Sequence, residues 1–181
     1  MVRLWLSWVE HFAGRLRQFH DVDLSRVDRM VFVCLGNVCR SPFAELIAHQ
    51  ENMPAASLGL STTTGAGAYA DALTTAERLG YDLRQHRAID LSDFEFRDGD
   101  LLLVMEVRQA RHLLSLLSSK NIQVALLGYW SSPRRPHIHD PMPLSLEYFE
   151  HCYGIIDSAV RNLSEDFRRA QGENELHAKE L

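Results

Sequence analysis

Four short apolar runs, each followed by a stretch with helical spacing, constrain this chain more than any other feature of its sequence. The runs are MVFVCL (30–35), LGLST (58–62), DLLLVM (100–105) and IQVALLG (122–128). They are apolar at successive rather than alternate positions, as strands buried on both faces are. The stretches SPFAELIAHQENM (41–53), YADALTTAERLG (69–80), EVRQARHLLSLL (106–117) and a long final one over 145–168 read as helices. Alternating strand and helix make βα units, because a parallel neighbour is reached only through a crossover. The expectation is an α/β domain with a four-stranded parallel sheet and helices on both faces. Ser41 stands as the N-cap of the first helix with Pro42 at its first position, and Gly80 as the C′ glycine of the second.

A chain of 181 residues suffices for one domain with a sizeable core. A net charge of -5 gives no reason to expect a nucleic-acid partner, which needs clustered Lys and Arg. The three cysteines Cys34, Cys39 and Cys152 are odd in number and lack repeated spacing, so no secreted-type disulfide framework is implied and a reducing, cytoplasmic setting fits. No apolar run approaches the about 20 residues that span a bilayer, and Glu10, His11, Arg15 and Arg17 break up any signal-peptide core.

Residues 1–27 read as an N-terminal extension with an amphipathic helix over 3–19, where Trp5, Trp8, Val9, Phe12, Leu16 and Phe19 share one face. That face suits packing on its own domain or on a second copy, and, as the less favoured reading, a membrane surface or a partner. Residues 28–170 form the main domain and 171–181 a polar tail.

The chemistry concentrates where the first strand meets the first helix, in VFVCLGNVCRSPFAE (31–45). A loop opening a helix directs successive N–H groups and the positive end of the helix dipole into one concavity, which binds a tetrahedral anion. Arg40 at its rim offers a planar pair of donors to two phosphoryl oxygens. Cys34 falls at its floor, where the same field stabilises a thiolate, a nucleophile placed for attack on phosphorus. Gly36 supplies close backbone approach or positive φ, and Asn37 is one of the few other residues that tolerate the left-handed region. Ser41 serves as helix cap, as donor to the thiolate, or as both.

The stretch VCLGNVCRSPFAE resembles the signature of the low-molecular-weight protein-tyrosine phosphatases, Cys-x5-Arg-Ser-Pro. HRAIDL (86–91) resembles that family's His-x-Ala-Arg segment without its Arg, DLLLVME its Asp-Leu-Ile-Leu-Val-Met-Asp strand, and HDPMP carries its Asp-Pro pair. The likeness covers roughly 28–168 and makes 28–170 a phosphatase domain. It implies a tyrosine phosphatase working through a phosphocysteine, with Cys34 as nucleophile, Arg40 as phosphate clamp and no cofactor or metal. Leu35, Gly36, Asn37, Val38, Cys39, Ser41 and Met142 would then surround the substrate. It also implies a phosphotyrosine-bearing protein as substrate, often, among bacterial relatives, a tyrosine kinase of polysaccharide production.

Ester cleavage further requires a proton for the leaving oxygen. Asp140 lies in SSPRRPHIHDPMPLS (131–145), the one long irregular stretch, and is by resemblance the general acid and later the base. His86 by resemblance supports the loop at Asn37. Met142 and Pro143 stand where the family has an aromatic pocket wall, with Leu35 a second wall and Tyr69 a substitute aromatic. His137, His139 and Asp140 form a His-x-His-Asp cluster whose reading as a metal site is disfavoured, since no further ligand cluster accompanies it. Cys39, five residues after Cys34, suggests a reversible disulfide guarding the nucleophile; Cys152 reads as core.

Three rival readings remain. A protein-arginine phosphatase favours Thr where Val38 stands. An arsenate reductase needs relay cysteines, and none lies between Cys39 and Cys152. A non-catalytic phosphoprotein-binding module would need neither Cys34 nor Asp140.

Overall fold

The computed structural model describes residues 16–117 and 121–179, with side chains through Gly172. Strands β1 (Arg29–Cys34), β2 (Ala55–Gly59), β3 (Asp100–Val104) and β4 (Gln123–Leu126) form one parallel sheet in the order β2-β1-β3-β4. The helices are α1 (Arg40–Gln50), α2 (Ala70–Arg78), α3 (Val107–Leu116) and α4 (Leu146–Lys179).

The successive apolar residues of each strand divide between the two faces of the sheet. Met30, Phe32 and Cys34 of β1, with Leu101 and Leu103 of β3, join α1, α2 and α4 through Phe43, Ile47, Ala76, Phe149, Tyr153 and Ile156. Val31, Val33, Leu102 and Val104 face the other way, onto Val107, Ala110 and Leu113 of α3. Helices on both faces, expected from the unbroken apolar runs, follow from this two-sided burial.

Several boundaries differ from the sequence reading. The second strand lies at Ala55–Gly59 rather than 58–62, because β1 turns into a loop after Cys34, the residue paired with Gly59, and leaves Leu60 and Ser61 no strand to pair with. Helix α1 starts at Arg40 with Cys39 at the cap position, so Ser41 is not the N-cap and Pro42 sits third in the helix. Helix α4 continues to Lys179 instead of ending near 168, and most of the expected polar tail is helical. Gly80, with φ 83°, ends α2 as expected: the Tyr81 N–H donates to the Ala76 carbonyl at 2.8 Å and the Gly80 N–H to Glu77 at 3.0 Å.

Most of the expected N-terminal helix, 3–15, lies outside the described residues. Its last residues, Arg17–Phe19, form a single 3-10 turn rather than α-helix. Leu16 and Phe19 are buried in the cluster around Val31, Val124 and Tyr129, so these two members of the apolar face pack on their own domain. Among the described residues no helix is long and apolar enough to cross a membrane.

Strand order reverses between β1 and β3, since the chain leaves β1 for β2 on one side and reaches β3 and β4 on the other. Ligands of open α/β sheets sit beyond the carboxyl ends of strands at such a point. Here that position holds the loop after β1 and Glu106 after β3.

Candidate active site

Cys34 ends β1, and its Sγ receives the Asn37 backbone N–H at 3.2 Å. The Ser41 Oγ lies 3.1 Å from the same sulfur. The direction of that bond follows from the neighbouring network. The Asn37 side-chain amide donates to both Ser41 Oγ and Ser57 Oγ at 2.8 Å, which leaves the Ser41 hydrogen for the sulfur. Ser57 passes its own hydrogen to Glu45 Oε2 at 2.6 Å. The buried sulfur thus accepts two hydrogen bonds, from the Asn37 N–H and the Ser41 hydroxyl.

Asn37 is the centre of this loop. It is fully buried with φ 50°, in the left-handed region that Asn tolerates. Its Oδ1 accepts the Ile89 N–H at 2.9 Å, and its carbonyl is 2.7 Å from His86 Nε2, which as the partner of a carbonyl carries the proton. The His86 contact expected from the sequence is therefore present.

Of the two roles expected of Gly36 the structure removes positive φ, which it lacks; a side chain there would meet Val38 Cγ2 at 3.5 Å. The glycine that close approach demands is Gly59 of β2, where a Cβ would come within 2.9 Å of the Gly36 carbonyl carbon and 3.0 Å of the Asn37 nitrogen.

Arg40 is 1 % exposed. Its NH1 donates to Glu106 Oε1 at 3.0 Å and to the Ile138 carbonyl at 3.1 Å, and its NH2 to Asp140 Oδ2 at 2.5 Å. The buried Nε–H has no acceptor among the described residues. Burial pushes the guanidinium pKa down, but the Cys34 sulfur, Asp140 and Glu106 raise it further than that, so Arg40 stays charged. A fixed cation with an unused buried donor beside a nucleophilic sulfur is what an oxyanion of phosphate calls for.

Glu106 lies outside the site residues the sequence points to, although it closes the quoted DLLLVME run. Burial pushes its carboxyl up, but Arg40's hydrogen bond and charge, with Arg108 at 2.7 Å, outweigh that and hold it below the ordinary glutamate range. His137 lies 4.0 Å from Glu106, and burial draws its imidazole down more than that carboxylate raises it. An acid at the carboxyl end of a parallel strand was the available signal. Ser57 and Glu45 also belong to this network, and nothing in their spacing marks them in the sequence.

The remaining residues fall into place around these. Asp140 is brought to the loop of Cys34 by its bond to Arg40, across 100 positions of sequence. Leu35 and Met142 are exposed beside the site, at 43 % and 36 %. Val38 is half-buried against the core, and its carbonyl accepts the Tyr69 N–H at 2.9 Å. The partly buried Tyr69 ring stacks on Phe149 with centroids 6.2 Å apart and packs against the cluster that also holds Cys34, Cys39 and Val38. His139 meets Tyr148 edge-on, 5.7 Å between centroids. All three cysteines are free thiols; Cys39 Sγ faces Met142 Sδ at 3.2 Å, and the wholly buried Cys152 thiol is pushed up to about 12 by burial.

A parallel sheet carrying a Cys-x5-Arg loop at its switch point defines a class of phosphate-cleaving enzymes, and comparison with known proteins agrees. Residues 29–173 match the family described as low molecular weight phosphotyrosine protein phosphatase. The chain belongs to that family. It is 33 % identical over 147 residues to the low molecular weight protein-tyrosine-phosphatase Wzb of Salmonella typhi, covering 80 % of this chain and 97 % of that one. It is likewise 33 % identical to the probable phosphatase AmsI of Erwinia amylovora, covering 75 % of this chain and 94 % of the relative. Among solved structures it is similar to Vibrio vulnificus Wzb in complex with benzylphosphonate, with TM-score 0.66, 27 % identity, and 77 % and 98 % of the two chains covered.

Proposed function

We propose that this protein hydrolyses phosphotyrosine on proteins through a phosphocysteine formed on Cys34. The observation that carries the reading is the convergence at one site of a sulfur that accepts two hydrogen bonds, a buried guanidinium whose Nε–H has no acceptor among the described residues, and an aspartate on the same guanidinium. In the first step the Cys34 thiolate attacks phosphorus while Arg40 and the loop N–H groups hold the equatorial oxygens. The S–P bond forms, the bond from phosphorus to the tyrosyl oxygen breaks, and Asp140 delivers its proton to the departing oxygen. Asp140, now a carboxylate, then takes a proton from water, whose oxygen attacks phosphorus. The S–P bond breaks, and phosphate and the thiolate are released.

Leu35 and Met142 supply apolar walls for an aromatic ring, with a thioether in place of the family's aromatic residue. A tyrosine kinase of polysaccharide production is the substrate class that the resemblance to bacterial relatives favours, and the reduced thiols suit action in the cytoplasm. The unit 28–170 is the phosphatase domain of this reading, and the residues before it an extension whose last apolar members dock on the sheet.

The test is a parallel assay on phosphotyrosine, phosphoarginine and phosphoserine peptides. Turnover of phosphotyrosine well above the other two is expected. Preference for phosphoarginine would replace this reading with the arginine-phosphatase alternative.

A further inference from the structure

Cys39 is the thiol of the phosphate loop to which the chemistry above gives no task. It is 3 % exposed, and burial, followed by the neighbouring Cys34 sulfur and Asp140 carboxylate, pushes its pKa well up, so the thiol keeps its proton. That proton is donated to Met142 Sδ, 3.2 Å away. The Cys39 carbonyl accepts the buried Tyr153 hydroxyl at 3.2 Å, which fixes the residue to α4. Met142 in turn donates its backbone N–H to Asp140 Oδ1 at 3.2 Å. A continuous line of contacts runs from the start of α1 to the carboxyl group of the acid.

The hydrogen bonds from the phosphate-loop side to this segment otherwise come from Arg40, to the Ile138 carbonyl and to Asp140. The bond to Asp140 occupies the guanidinium edge that phosphoryl oxygens take in the proposed reaction, so it cannot hold the acid during the chemical step. The sulfur contact lies outside that competition. From this geometry we propose that Cys39 and Met142 form a thiol-to-thioether clasp that holds the Asp140 loop in register for proton delivery, making both of them positioning residues. A single S–H to sulfur contact is weak. Its importance lies in orientation, because a small misplacement of a catalytic group costs rate far beyond the energy of the contact that holds it. The proposal rests on Asp140 being the general acid.

The experiment measures kcat/KM over a series of aryl monophosphates, from p-nitrophenyl phosphate, whose leaving oxygen needs little protonation, to phenyl phosphate, whose oxygen needs it most. With the acid in place the dependence on the leaving group is shallow. Cys39→Ala and Met142→Leu are each expected to lower kcat/KM on phenyl phosphate several-fold more than on p-nitrophenyl phosphate, whatever loss the altered pocket wall imposes on both alike. Cys39→Ser, which retains a donor, is expected to return the shallow slope. A general packing defect would instead lower all substrates alike, and that result, or an unchanged slope in both variants, overturns the clasp. Met142 is partly exposed, so its variant gives a folded readout even where Cys39→Ala is unstable. Asp140→Ala is run alongside. A steep slope for it with shallow slopes for the other variants removes the clasp alone, whereas a shallow slope for Asp140→Ala removes the acid assignment and the clasp with it.

Discussion

The two loops that meet at Arg40 are held in opposite ways. The phosphate loop is fastened from every side: Asn37 alone engages Cys34, Ser41, Ser57, His86 and Ile89. The acid loop, 131–145, is attached at separated points, among them the Ile138 N–H on the Met105 carbonyl at 2.8 Å, the Arg135 N–H on Gly128 at 2.8 Å, and the Cys39 thiol on Met142. The contrast follows the demands of the chemistry. Donors that stabilise a developing charge act best when they do not reorganise, whereas a group that gives up a proton and then activates water must turn between two tasks.

If that division is right, damage to the acid loop impairs chemistry and spares the fold, while damage to the phosphate loop impairs both. The largest effect is expected from Asp140→Ala: kcat/KM on phosphotyrosine falls about 10²- to 10³-fold with the thermal midpoint nearly unchanged, the side chain being one-third exposed. Steady-state kinetics paired with a melting curve checks this, and a large loss of stability would blur the contrast. Gly59→Ala comes next. Its methyl group would press on the backbone of Gly36 and Asn37, so activity and about 1–3 kcal/mol of stability are lost together, as urea unfolding and turnover measured on one sample would show.

The smallest expected effect concerns the pH dependence of the Arg40–Glu106 pair. The Glu106 carboxyl titrates lower in the folded protein than in the unfolded chain. The stability it contributes is therefore complete above the ordinary glutamate range and is lost as pH falls through the depressed folded value. Glu106→Gln is expected to be less stable than the wild type at neutral pH, with the difference shrinking in acid. Unfolding curves taken from pH 7 downward measure it, and a difference that grows in acid would contradict the assignment.

How much of this was legible in the sequence depends on the range of each interaction. The order of strands and helices could be read because each apolar run stands between turns, and the nucleophile and clamp could be read because Cys34 and Arg40 share one loop. The apolar pattern sets the second strand too late because Ala55, Ala56 and Ser57 are weak strand formers, and only the pairing with β1 reveals them. Glu106 meets Arg40 across 66 positions, and Ser57 meets Asn37 across 20, so no local spacing announces either. The roles of Gly36 and Asn37 were both allowed by residue type, and the backbone assigns the left-handed position to Asn37 alone. Gly59 carried a usable signal, a glycine at the end of an apolar run, but its reason lies in the loop that crosses over it.

The central claim is that phosphorus passes through the Cys34 sulfur. Acid quenching of the enzyme during turnover of a phosphorus-labelled aryl phosphate, followed by peptide mass spectrometry, tests it directly. Label on the Cys34 sulfur, located by fragmentation within the peptide it shares with Cys39, and none in Cys34→Ser, is the expected result. Turnover without any labelled cysteine, or label on Cys39 or Cys152 instead, would contradict the account.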